Sequence, residues 1–201
     1  MRKTVSRRAV MPACAGLLAA AMLAACAGPA PAPPPAAGGK APLGLPRGYV
    51  RTDGHGDLLI ASAGQAACPR TAPAEAAAAA AAANAARRDR GQPPVATHPT
   101  LQRVAEQQAC EMARRGTMTH VSQSGGRPGP RLKAAGYRPA VTTENIAAGR
   151  MDIGRVLAEW GSSPLHLVNI VRPGLRHMGI GHASGADGKT TYWTTIYAQP
   201  R

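Results

Sequence analysis

His120, Glu144 and His166 are the residues of this 201-residue chain whose types could do chemistry. Two imidazoles and a carboxylate can hold a divalent metal such as zinc, or work as acid and base around a cleft. They stand too far apart in sequence to form a local metal motif. Each also has a plain structural use: His120 as a hydrogen-bonding group near a helix end, Glu144 as a cap or an arginine's partner, His166 as a packed first-turn residue. Residue chemistry by itself leaves these alternatives open.

The surrounding elements decide where the three residues can stand. A helix is predicted over Pro99–Arg115, because Leu101, Val104, Ala105, Gln108, Ala109 and Met112 recur on one face, a period broken only by Gln108. Gly116 stops it and the chain runs on to His120, which is therefore held near a rigid helix end. An alanine-rich helix precedes it over 71–90, with Thr71 as N-cap, Pro73 early and Glu75 in its first turn. After a glycine-rich loop, a short helix is expected over 130–135. Residues 137–143 read as mixed, and Glu144-Asn145-Ile146 leads to Gly149.

Asp152 then caps a helix carrying Ile153, Val156, Leu157 and Trp160 at i, i+3, i+4 and i+7, with Trp160 as a core anchor. Ser162-Ser163-Pro164 starts another helix, which puts His166 in a first turn. The positive helix end disfavours an imidazolium there, so His166 is expected neutral near pH 7. Two strands, 178–181 and 190–198, form a closing hairpin in which Tyr192, Thr194, Ile196 and Ala198 alternate with Trp193, Thr195 and Tyr197. His177 and His182 flank the first of them and are taken as structural. Leu58-Leu59-Ile60 reads as a short edge strand within an N-terminal arm over 49–71, after a turn at 53–57.

The front of the chain is an address. Arg2, Lys3, Arg7 and Arg8 precede a mostly apolar run over 9–25, a secretory signal shorter than the roughly 20 residues of a membrane-spanning helix. Leu23-Ala24-Ala25-Cys26 resembles a lipobox, in which the thiol of Cys26 takes a diacylglycerol and anchors the protein to the membrane; cleavage of an ordinary signal is the alternative. Residues 26–48 are rich in proline, alanine and glycine and form an extended tether. The expected location is the cell envelope, at the outer membrane facing the periplasm if the cell is Gram-negative.

The formal net charge is +14, and removal of the signal takes four basic residues with it, leaving 20 basic against 10 acidic. Scattered arginines and an aromatic content of 3% do not suit base stacking, so no nucleic-acid partner is expected. Of the four cysteines, Cys14 leaves with the signal and Cys26 is lipidated, which leaves Cys68 and Cys110 in an oxidising compartment. A disulfide between them is predicted, stabilising by about 4 kcal/mol in the loop-entropy model.

Several short signatures follow one another in a set order: His120-x-Ser122, Leu132-Lys133-Ala134-Ala135-Gly136-Tyr137, Glu144-Asn145-Ile146-Ala147, Trp160, Ser163-Pro164-x-His166, Asn169-Ile170, Gly179-Ile180-Gly181 and Tyr192-Trp193. Asn84 and Arg88 add an Asn-x-x-x-Arg pair on the first long helix. Together they resemble a bacterial CAP domain, of the superfamily of cysteine-rich secretory proteins, antigen 5 and pathogenesis-related 1. The resemblance covers about 72–200, and the domain is set at 72–201.

That resemblance implies an α+β fold, a three-layer α-β-α sandwich with a central cleft. It carries the cleft over to His120, Ser122, Glu144, Asn145, Ser163 and His166, with His120 and His166 as the candidate ligands of zinc or another divalent metal. Eukaryotic members add a second glutamate after the tryptophan-bearing helix. This chain has Ser162 and Ser163 there, and the nearby Glu159 does not fit the position. The function implied is capture of a small amphiphile, lipid, peptide or wall-derived fragment. The alternative is a hydrolase using a metal-bound water or a histidine base with Glu144.

Overall fold

The computed structural model describes residues 49–51, 54 and 56–201. The signal, Cys14, the tether with its Cys26, and Asp53 and His55 of the predicted turn lie outside the described residues.

Alternation along three antiparallel strands sets the layers. β5 (Pro139–Gly149), β6 (His177–Ser184) and β7 (Thr191–Pro200) form the middle of a five-stranded sheet, with β7 between the other two. β1 (Tyr49–Arg51) and β3 (Ala96–Thr97) add parallel edges on β5 and β6. On β6, Met178 and Ile180 face a core made with α1 (Pro73–Arg88), α4 (Ile153–Ser162) and α5 (Pro164–Ile170). The intervening Gly179 and Gly181 face α2 (Pro99–Arg115). Helices thus cover both faces of the sheet, and the expected α-β-α sandwich is the fold.

The Gly-Ile-Gly signature has a steric cause. A Cβ at Gly179 would stand 2.3 Å from Gln102 N, and one at Gly181 would stand 2.3 Å from Glu106 N. The backbone of α2 therefore lies directly on β6, closer than any side chain on those two residues allows.

Several elements differ from expectation. β5 is a full eleven-residue strand. Thr142, Thr143, Glu144 and Asn145 are all buried, so polar residues face both sides and the run lacks the apolar alternation that announces a strand. The segment before α2 holds β3 rather than only an extended link, and α3 spans Pro128–Ala134, two residues earlier than read. The N-cap of α1 is Ala72; Thr71 instead donates its hydroxyl to Ile180 O at 2.9 Å.

On α1 the residue that matters is Arg87 and not Arg88, which is exposed. Arg87 is buried and donates to the carbonyls of Pro93, Ile170, Arg172 and Leu175 at 2.7–3.3 Å, which ties α1 to the turn after α5. Asn84 bonds both backbone groups of Val95. Trp160 is the expected core anchor, fully enclosed between α1 and the sheet.

The arm ahead of α1 is fastened along α2. β2 (Leu58–Leu59) pairs with β4 (Thr117–Met118), and the carbonyl of Gly116 accepts from Ile60 and Ala61. Gly116 itself has φ 64°, and a Cβ there would meet Ala61 O at 2.0 Å, so both conformation and space demand glycine. The disulfide Cys68–Cys110 joins the arm to the middle of α2. No described helix is long and apolar enough to cross a membrane.

Candidate functional site

His120 is positioned from below by the end of α2. Gly116 reverses the chain, β4 carries it back, and buried Gln108 donates to Thr119 O at 2.6 Å. The one polar break in the apolar stripe of α2 is therefore the group that holds the backbone next to His120.

Glu144 sits mid-strand on β5, opposite Ile196, on the face covered by α2 and α3. Its carboxylate is completely buried, and both oxygens are engaged. Oε1 lies 2.8 Å from His120 Nδ1, and Oε2 accepts from Arg131 Nη2 at 2.6 Å. Arg131 comes from α3 and also donates Nε to Gly126 O at 3.1 Å. An ionised carboxylate only accepts, so His120 Nδ1 carries the proton and its Nε2 keeps the lone pair in the neutral ring. Glu144 is thus an arginine's partner, one of its plain readings, and at the same time orients His120.

The neighbouring Asn145 faces the other layer. Its Nδ2 donates to His166 O at 3.1 Å, while Asn169 Nδ2 bridges Asn145 Oδ1 at 2.8 Å and Glu144 O at 3.2 Å. These amides lock α5 to β5. The His166 ring lies 6.5 Å, centroid to centroid, from Trp160. Ser163 is the N-cap of α5 by position, but its side chain makes no capping bond; its amide donates to Glu159 O.

Ser122 is turned toward a different acid. Its hydroxyl donates to Glu111 Oε2 at 2.6 Å and stands 2.8 Å from Ser124 Oγ. Burial pushes the Glu111 carboxyl up, but hydrogen bonds from Ser122, the Gln123 amide and Ser124, with the charge of Arg115, outweigh it and leave the group below the usual carboxylate range. Farther off, His182 stacks on Trp193 at 4.8 Å and His177 Nδ1 lies 2.9 Å from the Tyr137 hydroxyl, both structural uses.

Of the predicted residues, the structure joins His120 directly to Glu144, and links Asn145 to His166 through a backbone carbonyl. Arg131 and Glu111 join the site without any signature of their own in the sequence. Arg131 looks like surface charge on a short helix, and Glu111 lies on a helix with a basic end, so neither carries a local signal. Among the described residues, no three His, Cys, Asp or Glu side chains gather as a metal-ligand group. Both Glu144 oxygens are already engaged, by His120 and Arg131.

The comparisons with known proteins agree with this architecture. YkwD, an uncharacterized protein of Bacillus subtilis (strain 168), is 29% identical over 104 residues, which is 52% of this chain and 40% of that protein. The chain therefore spans well under half the length of that relative. Among solved structures, an outer surface protein from Borrelia burgdorferi aligns with TM-score 0.53 at 20% identity, over 62% of this chain and 91% of that one. An extracellular protein containing an SCP domain, from Bacillus anthracis str. Ames, aligns with TM-score 0.55 at 21% identity, over 63% of this chain and 40% of that one. At such identities these likenesses speak to the fold. The family model for CAP, the Cysteine-rich secretory protein family, matches residues 80–197, so the chain belongs to the CAP family.

Proposed function

We propose that this CAP-domain protein is exported, held at the membrane by a lipid on Cys26, and captures a small amphiphile, lipid, peptide or wall fragment. The cleft would be built around His120, Ser122, Glu144, Asn145, Ser163 and His166. The observation that carries the binding reading is the state of Glu144. A general base must exchange its proton with substrate or water. A buried carboxylate clamped between Arg131 and His120 serves better as a fixed electrostatic anchor. Ser122, the serine closest in sequence to His120, directs its hydroxyl to Glu111 and is not poised as a nucleophile.

The test is mass spectrometry of protein drawn gently from its own membranes, comparing wild type with His120→Ala. A co-purifying small molecule that is lost in the variant supports capture. Turnover of a peptide or wall substrate that depends on His120, with no retained ligand, would replace binding by hydrolysis. Cys26→Ser is expected to release the protein from the membrane fraction, and retention of the variant there would refute the anchor. A zinc site at His120 and His166 would give calorimetric heat in wild type and none in the double alanine variant. Equal heats would remove the metal from the reading.

A further inference from the structure

One end of the sandwich is built from basic segments. The start of β5, the start of β6 and the end of β7 lie there side by side, and Arg87 ties the last turn of α1 to the carbonyls of Arg172 and Leu175 beside them. Segments 88–98, 133–139, 171–177 and 199–201, which make up this end, hold seven lysines and arginines and a single acid, Asp89. Counting the backbone carboxylate of Arg201 as a second negative charge still leaves a clear positive excess. The opposite end, with the β6–β7 turn and the start of α4, mixes signs: Asp152 and Asp187 stand there with Arg150, Arg155 and Lys189.

The charge of the basic end is not neutralised within the domain. Lys133, Arg138, Arg176 and Arg201 are all exposed, and none has a carboxylate within ion-pair distance among the described residues. Arg201 donates Nε to Pro139 O and Arg176 donates Nη1 to Leu175 O, so both guanidinium groups keep most of their donors for another molecule. Lys133, Arg138 and Arg201 line one cavity of about 690 Å³, together with Gly136 and Tyr137. Cations gathered without counter-charges repel one another, and an anion with several acceptor oxygens relieves that repulsion.

The path of the chain says which anion. β1 runs parallel to β5 with Tyr49 beside Val141, so the chain ahead of residue 49 joins the domain at this same end. Residues 26–48 number 23, a lead of at most about 80 Å. A surface that holds Cys26 is therefore within reach of the basic end. We propose that this end docks on anionic phospholipid headgroups, with a phosphate seated among Lys133, Arg138 and Arg201. The docking rests on the Cys26 anchor of the proposed function, and it needs neither His120 nor the cleft.

Two lysines of the described residues make the test internal: Lys133 at the basic end and Lys189 in the turn at the opposite one, both exposed. Protein drawn from its own membranes is placed on vesicles of phosphatidylcholine, alone or mixed with phosphatidylglycerol, at low ionic strength. Acetylation of each lysine is then followed by mass spectrometry. Lys133 is expected to react at least about fivefold more slowly on the anionic vesicles, the factor for one base near such a surface, while Lys189 is unchanged. The protection should vanish at about 1 M salt, where the screening length is about 3 Å. Arg138→Gln, Arg176→Gln and Arg201→Gln together should bring Lys133 within about twofold of its rate on neutral vesicles. Arg114→Gln, Arg150→Gln and Arg155→Gln together, at the opposite end, should leave the protection in place. Equal Lys133 rates on the two vesicles, equal slowing of Lys189, or full protection in the first triple variant would overturn the docking. Inorganic phosphate that protects Lys133 as well as the anionic vesicles do would replace the membrane by a free phosphate ligand. Sedimentation with neutral vesicles reads the anchor apart from this. Protein that sediments there but shows equal Lys133 rates keeps the anchor and loses the docking; protein that does not, yet is protected on anionic vesicles, loses the anchor and keeps the docking.

Discussion

Replacing Glu144 by glutamine keeps the shape of the side chain and removes its charge. No cavity results, so the loss is electrostatic. Arg131 then keeps a guanidinium that is nine-tenths buried with no counter-charge, its side chain being 6% exposed. Breaking a buried pair from one side costs about 3–5 kcal/mol. For a domain of about 150 residues, each kcal/mol moves the midpoint by about 2–4 °C, so a drop of about 6–20 °C is expected by calorimetry. Guanidinium unfolding should show the same loss with an unchanged slope. A double-mutant cycle isolates the pair. Glu144→Leu combined with Arg131→Met should be less destabilised than the sum of the single variants by about 2–3 kcal/mol. What remains of the loss is His120 Nδ1–H without its acceptor, about 1–3 kcal/mol. A Glu144→Gln protein within about 1 kcal/mol of wild type, or strict additivity in the cycle, would refute the picture of a clamped carboxylate. The same figures explain why a Glu144 variant is a poor probe of catalysis, since lost activity would report lost structure.

Gly181→Ala drives a methyl into the backbone of α2 and should cost about 3 kcal/mol in chemical denaturation, whereas Gly161→Ala, which meets nothing within 4 Å, should gain about 0.5–1 kcal/mol. Reduction of Cys68–Cys110, 42 residues apart, should lower stability by about 4 kcal/mol, measured with and without reductant. His98 caps α2 through Nδ1, which accepts from Thr100 N only while the ring is neutral, and burial together with His177 and Arg103 holds its pKa below the ordinary value. Cap stability of about 0.5–2 kcal/mol is therefore present above pH of about 6.5 and lost as pH falls through the folded pKa; His98→Asn should abolish that dependence in denaturation midpoints. Glu111, depressed in the fold, contributes above pH of about 4.3 and loses its contribution as pH falls through its lower folded pKa, so Glu111→Gln should flatten the acid limb of the same curve.

Much of the fold was legible because its elements speak in periods. The apolar stripe of α2, the i, i+3, i+4, i+7 series of α4, the Asp152 cap and the alternation of β7 each predict the observed element. β5 was not legible as a strand. Its middle is polar on both faces, because one face meets Arg131 and His120 and the other meets Asn169 and the carbonyl of His166. The candidate site shows the same division. His120 and Glu144 stand out through their signatures, while Arg131, which neutralises Glu144, acts over a long-range contact that no local spacing encodes. The choice between Arg87 and Arg88 is likewise tertiary, since adjacent arginines on one helix differ only in which of them meets the carbonyls after α5.

The stitch between Cys68 and Cys110 also sets how the domain responds to force. Any pull on the chain ahead of residue 49 first strips the three-residue β1 and the two-residue β2, which are held by hydrogen bonds. It then meets a covalent bond at Cys68 and is handed to the middle of α2, the helix seated on the two glycines of β6. Peeling stops after some 20 residues, an extension of about 65–70 Å. Beyond that length, tension loads the sandwich's own central contact instead of unravelling it from the end, so the staple divides the N-terminal side into a short compliant lead and a stiff mount.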